Sequence, residues 1–246
     1  STIQNEVIMP GGTLATYHFL KQFTKHISLV SVLNNKIPIP NKLINKKIKK
    51  NILISNEIPK VIKERVIESV GQEKYKKIIT LNHFTKIDLK NKDENKILRY
   101  LEKNIKNFDI VLMQDFGHGF ITKRISKIVQ AKSKFLSLNV QTNSLNYGFN
   151  IISKKIKKAD LFALDKRELE LASYSISEDD YKSLSKLKKI MKAKFAFLTS
   201  GEKYSILLHL SKKYKINTLD NEAIDTMGAG DIFHAMSTLM SFSQTN

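Results

Sequence analysis

Asp225-Thr226-Met227-Gly228-Ala229-Gly230-Asp231 runs directly into an apolar segment, Ile232 to Met240, that suits a helix. Two glycines separated by one small residue let a backbone turn approach a ligand closely. A helix that starts there aims its unpaired N–H groups and its positive dipole end at whatever the turn holds. An acid at Asp231, beside such an anion cradle, repels phosphate unless it has a task. Accepting the proton of a hydroxyl that attacks the phosphate is that task. The stretch therefore predicts a phosphoryl-transfer site, with Asp231 as base and the Gly228, Ala229 and Gly230 N–H groups as anion hole. The plain alternative, an ordinary glycine-containing helix start, leaves the acid without a purpose.

Around this stretch lies a chain of 246 residues, enough for one large α/β domain or two small ones. Its 41% hydrophobic content supports a substantial core. It has no cysteine, which excludes disulfides and thiolate metal sites and fits a reducing, cytoplasmic setting. No apolar run approaches the roughly 18 residues that span a bilayer, and no signal peptide is visible, so no membrane association is expected. The net charge of +19 would suit nucleic acid or an anionic surface. The lysines, however, are spread along the whole chain among Ile and Asn. Runs such as Lys46-Lys47-Ile48-Lys49-Lys50 and Lys154-Lys155-Ile156-Lys157-Lys158 read as solvated faces. No basic motif interleaved with aromatics accompanies them, so no specific nucleic-acid partner is expected.

Upstream, Gly11-Gly12 precedes Leu14, Tyr17, Leu20 and Phe23, spaced as on a helix, and His26 to Leu33 reads as a buried strand. Residues 37–60, rich in Lys, Asn and Ile with three prolines, read as loop and edge structure. Segments 60–68 and 76–82 suit exposed strands that cover something. From about residue 105 to 200, apolar strands alternate with helices. The strands are 109–113, 135–140, 161–164 and 194–198; the helices are 92–107, 121–132, one after the 143 loop, 165–173 and 178–192. A hairpin at 204–208 and 213–216 and a final helix from Gly228 complete the pattern. Such alternation predicts βαβ units and a mainly parallel sheet between helical layers. Ligands bind beyond the carboxyl ends of such strands. Asp115, Gln141, Asp165, Glu168, Thr199 and Gly201 follow strand ends and should share one edge with the 225–231 turn. Phe195 and Phe197, and Met236 with Met240 on the last helix, read as core.

These residues, in this order, resemble the ribokinase-like (PfkB) carbohydrate kinases, whose DTxGAGD signature is matched in full at 225–231. Asp115-Phe116-Gly117-His118-Gly119 is similar to the DYGKG of the sugar-kinase domain of the ADP-heptose synthase group. The resemblance covers roughly residues 9–243. It implies a single three-layer α/β/α kinase domain over 1–246 with a small β-strand lid within about 35–85. It implies ATP and Mg²⁺ as cofactors and a sugar or sugar phosphate, of the heptose type, as substrate. Asp231 would be the base. Thr199 and Gly201 match a T-x-G turn at the nucleotide phosphates, with Tyr204 where the family has glycine. Asp225 and Thr226 would shape the signature turn. Glu168, with Asp165 in place of the usual Asn, would act on Mg²⁺ through water; a helix cap explains the pair equally simply.

Gly11 and Gly12 match a substrate-side Gly-Gly pair. Asp115, His118 and Gln141 would meet the sugar or its phosphate, although 139–141 lacks the charges of the heptose kinases. Lys63 and Arg65, on a covering strand, are further candidates for a sugar phosphate. The other histidines show no metal-ligand spacing. The family's first strand, with its sugar-binding Asp, and the segment beyond the signature helix that walls the adenine are expected to be missing or to lie outside this sequence. A catalytically degenerate remnant that binds nucleotide or sugar, or scaffolds a larger bifunctional protein, is the second reading. A homodimer through the lid strands and a fused nucleotidyltransferase domain are the partners the resemblance implies.

Overall fold

A computed structural model describes residues 6–37, 43–44, 52–69, 75–83, 85–142, 150–174, 179–219 and 228–245. The chain divides into two units, Ser1–Ile87 and Asp88–Asn246.

In the first unit, Gly11 introduces helix α1 (Gly12–Leu20). Strand β1 (Ser31–Asn34) pairs in parallel with β2 (Ile52–Ser55). Tyr17, Leu29 and Ile44 form a small core, with Leu14, Ile27, Leu33 and Ile52 packed against it. Only the end of the expected strand 26–33 is therefore strand, because the four residues of β2 satisfy only four of its backbone positions. β2, an edge strand of this two-stranded sheet, falls within the segment 37–60 read as loop and edge. Four apolar-biased residues in a Lys/Asn-rich context carry too short a period to announce a strand. β3 (Ile62–Ser69) and β4 (Tyr75–His83) form an antiparallel ribbon with a bulge between Val66 and Ile67. Ile62, Val66, Ile67, Ile78, Ile79 and Leu81 are all exposed on it. This is the exposed pair of strands expected from 60–68 and 76–82.

The second unit is built on a six-stranded sheet in the order β10-β9-β8-β7-β6-β5. β5 (Ile110–Asp115), β6 (Phe135–Val140), β7 (Leu161–Asp165) and β8 (Phe195–Thr199) run parallel. β9 (Tyr204–His209) and β10 (Lys212–Asn217) complete the sheet antiparallel, as the predicted hairpin. Every residue of β6 is buried, as expected of an inner strand covered on both faces. The helices are α2 (Asn91–Asn104, continued by a 3₁₀ turn at Ile105–Asn107), α3 (Lys123–Lys132), α4 (Ile152–Lys155), α5 (Lys166–Ser173), α6 (Asp180–Ile190) and α7 (Ala229–Ser243). They flank the sheet in the three-layer α/β/α arrangement. Leu138, Leu161, Phe162, Leu184, Met191 and Leu198 are completely buried. Each contributes roughly 1.5–3 kcal/mol of burial free energy.

Helix α7 lies against β5, β6 and β7 through an unusual face. Its buried residues are Asp231, His234, Ala235, Ser237, Thr238 and Ser241, nearly all small or polar. Phe233 packs edge-on to Phe197, and Phe242 to Phe135. Met240 is 65% exposed, which corrects its assignment to the core; Met236 is half-buried. The polar stripe of the helix, not the methionine one, faces the sheet. Phe195 is buried, and Phe197 packs against its cluster as expected.

Candidate active site

Parallel strands deliver their carboxyl ends to one edge. Asp115 is registered with Val140, and Asp165 with Thr199. Gln141 continues directly from β6, its N–H donating to the Asp115 carbonyl at 2.8 Å.

At the start of α7, Gly228 sits at φ 75°, in the left-handed region, and caps the helix without a side chain. A Cβ there would meet nothing within 4 Å, so backbone conformation rather than space favours glycine. The first intrahelical bond runs from Ile232 N–H to Gly228 C=O at 3.0 Å. The N–H groups of Ala229, Gly230 and Asp231 precede it and have no intrahelical acceptor. Ala229 and Gly230 are exposed, so these donors and the helix dipole face a position an anion could occupy. Asp225 and Thr226 lie outside the described residues.

Asp231 follows within the same turn and is only 8% exposed. Its Oδ1 accepts from Gln141 Nε2 at 2.7 Å and from Gln114 Nε2 at 3.3 Å. Burial raises its carboxyl pKa above the usual range, and the Gln141 amide opposes that rise. Gln141, expected at the substrate, thus has its amide engaged on Asp231.

Asp165 and Glu168 form a complete capping box at the start of α5. Glu168 N–H donates to Asp165 Oδ1 at 2.7 Å, and Asp165 N–H donates to Glu168 Oε2 at 2.9 Å. Thr142 N–H occupies Glu168 Oε1 at 3.1 Å. Burial, then the charge of Asp165, pushes Glu168 up to about 8 against these backbone donors; the Asp231 charge adds to the rise. A carboxylate so surrounded by negative charge favours a cation nearby. Both of its oxygens are held by backbone N–H groups.

Asp115 is 3% exposed and doubly held. Lys155 Nζ lies 2.6 Å from Oδ2, and Gly117 N–H donates to Oδ1 at 2.8 Å. Lys155 therefore departs from the reading of its run as a solvated face, and Ile156 beside it is buried. Asn150 Nδ2 bridges the carbonyls of Asp115 (3.2 Å) and Gln141 (2.9 Å). His118 is half-buried, and its ring stacks on Phe116. Thr199 ends β8, and Gly201 turns at φ 53°. Ser200 N–H donates to the Tyr204 carbonyl at 2.8 Å. The Tyr204 hydroxyl donates to Asp180, and Lys215 lies over its ring at 3.9 Å. Gly11 and Gly12 (φ 51°) begin α1 in the first unit, and Lys63 and Arg65 sit on β3.

Sequence reasoning missed Gln114, Asn150 and Lys155. The signal for Gln114 was a lone amide closing an apolar strand; strand alternation turns it to the face opposite Asp115. Beneath Asp231, His234 is fully buried and its pKa falls to about 3 through desolvation. Its Nε2 lies 2.8 Å from Ser137 Oγ, which is 2.6 Å from Thr238 Oγ1. Thr238 donates to the His234 carbonyl at 2.7 Å. Ser137 must then donate to Thr238 and accept from His234, so Nε2 carries the proton. Among the described residues, His234 Nδ1 has no partner.

Comparison with known proteins places this geometry. No protein-family model matches the chain. It is similar to the bifunctional protein HldE of Nitratiruptor sp., 25% identical over 235 residues, 93% of this chain and 48% of that protein. The HldE of Wolinella succinogenes is 25% identical over 74% of this chain and 37% of its own length. That of Campylobacter fetus is 30% identical over 55% and 29%. The chain thus spans less than half the length of these relatives. Among solved structures, Escherichia coli phosphofructokinase-2 matches with TM-score 0.67 at 11% identity, covering 97% of this chain and 78% of the other. Xylella fastidiosa fructokinase with bound ATP gives 0.64 at 12%, covering 95% and 74%. Arabidopsis thaliana ribokinase complexed with ribose and ATP gives 0.59 at 18%, covering 87% and 68%. The fold is ribokinase-like, and the resemblance first carried by the 225–231 stretch extends over nearly the whole chain.

Proposed function

We propose that this chain is an ATP-dependent carbohydrate kinase domain that transfers the γ-phosphate to a hydroxyl of a sugar or sugar phosphate, of the heptose type. The observation that carries this reading is Asp231, buried in the first turn of α7 beside the N–H groups of the exposed residues Ala229 and Gly230, which have no intrahelical acceptor. The acceptor hydroxyl gives its proton to the Asp231 carboxylate as its oxygen bonds to the γ-phosphorus, and the bond to ADP breaks. Charge developing on the transferred group is met by N–H donors already oriented by the αL turn at Gly228. Thr199 and Gly201 border the nucleotide phosphates, and Asp115 and His118 the substrate. Glu168, with Asp165, would hold Mg²⁺ through water; bound there, the ion supplies charge neutralisation on the phosphates. The name of the relatives supports a second, fused activity, proposed here as a nucleotidyltransferase, and the exposed β3–β4 ribbon supports pairing between two copies.

A coupled assay for ADP release over a panel of sugars and sugar phosphates tests the reading. Asp231→Asn should lower kcat by roughly three orders of magnitude, within the range of general-base contributions, with ATP binding by calorimetry nearly unchanged. Undiminished turnover in that variant overturns the mechanism, and ATP binding without ADP release on any substrate favours the non-catalytic remnant.

A further inference from the structure

We infer that Gln114 and Gln141 are positioning residues, two amides that clamp Oδ1 of Asp231 and leave Oδ2 to receive the proton of the reacting hydroxyl. The inference rests on the kinase reading above and deepens it.

A carboxylate swings broadly about its last torsion, so an acid on a helix's first turn is not aimed by the helix alone. Here two amides from different strands converge on one oxygen. Gln141 Nε2 donates at 2.7 Å and Gln114 Nε2 at 3.3 Å, both to Oδ1. Among the described residues, no group donates to Oδ2. A carboxylate only accepts, so each amide must present its nitrogen, and neither glutamine can flip without losing its bond. The carriers are fixed as well. Gln114 lies inside β5 and is 4% exposed. Gln141 is tied through its N–H to Asp115 C=O at 2.8 Å and through its C=O to Asn150 Nδ2 at 2.9 Å.

The arrangement has a visible cost. Gln114 Oε1 is buried with no partner among the described residues. A buried unpaired amide oxygen is unfavourable, and holding Asp231 accounts for a polar residue at the end of a strand that is otherwise apolar from Ile110 to Met113. Phosphoryl transfer gives the clamp its purpose, because misplacing a reacting group by about 1 Å can cost about a hundredfold in rate. Among the described residues, the titratable neighbours Glu168 and His234 do not compete for the amides: the Glu168 oxygens are taken by backbone N–H groups, and His234 Nε2 is engaged with Ser137.

The test is a pair of double-mutant cycles on the full chain, one read by turnover and one by urea unfolding. Gln141→Met should lower kcat roughly 10- to 100-fold with KM for ATP within about twofold. In an Asp231→Ala background the same change should lower kcat no further. In urea, Gln141→Met should shift the midpoint of the parent but not that of Asp231→Ala. Gln114→Met, at the longer bond, repeats both cycles with smaller effects and serves if Gln141→Met does not fold. Unchanged kcat, or effects that simply multiply with Asp231→Ala, overturn the clamp. If no substrate is turned over by any variant, the kinase reading falls, and the urea cycle still decides: non-additive shifts support the clamp, additive ones overturn it.

Discussion

Gly228 is where one residue sets the turn proposed as the anion hole. Its φ of 75° lies in the region that L side chains adopt at a cost of roughly 1–2 kcal/mol. Since a Cβ would meet nothing within 4 Å, Gly228→Ala should fold, losing about 1 kcal/mol, or a few degrees in Tm for a chain of this size. Relieving that strain re-aims the N–H groups of Ala229 and Gly230, so kcat should fall at least roughly tenfold. Differential scanning fluorimetry beside the coupled assay separates the two effects; a drop in kcat matched by wholesale unfolding would contradict the argument. The places of Gly228 and Asp231 at the start of α7 are legible in the sequence because a helix start depends on immediate neighbours. Gln114 and Lys155 are not, because what gives them meaning lies 117 residues away in Asp231 and 40 residues away in Asp115. An amide or a lysine carries no local sign of a distant carboxylate.

Among elements, the parallel strands β5 to β8 were readable as short, mainly apolar runs and the longer helices between them by a period near 3.6. β2 was readable only as unspecified edge structure within 37–60, being four residues whose pairing with β1 only the fold supplies. Helix α7 shows period and face coming apart: its stripe is legible, but its partner face is set by Ser137 and the amides of the sheet rather than by apolar moment. Helix α5 joins local stability to site charge through one pair of acids. Asp165→Ala removes the N-cap and should cost about 1 kcal/mol, read as a lower urea midpoint. Asp165→Asn caps as well but withdraws the charge that is second only to burial in raising Glu168. It should therefore leave the midpoint nearly unchanged and move the Glu168 titration down from about 8, followed by carboxyl NMR. If Asp165→Asn leaves that titration in place, charge is not what couples the cap to the site.

Over the whole molecule, two buried groups bend stability against pH in opposite directions. His234 titrates near 3 when folded and near 6.5 when unfolded, so the unfolded chain takes up its proton first on acidification. The stability its neutral form secures is complete above pH 6.5 and is lost as pH falls towards 3. At pH 4.5 the loss is on the order of 2–3 kcal/mol. Glu168, raised from 4.5 to about 8, does the reverse: its contribution is largest below 4.5 and is lost as pH rises towards 8. Taken together, these two groups make stability rise as pH falls from 8 to 6.5, stay nearly level to 4.5, and decline below it. His234→Gln keeps a donor towards Ser137 but cannot titrate. The difference between its urea midpoint and that of the parent should therefore be constant above pH 6.5 and should shift steadily in the variant's favour below it. A difference that stays flat from pH 7 to 4 would mean that His234 is not held neutral by the fold, and the buried Ser137–His234–Thr238 chain under the site would then have to carry a proton.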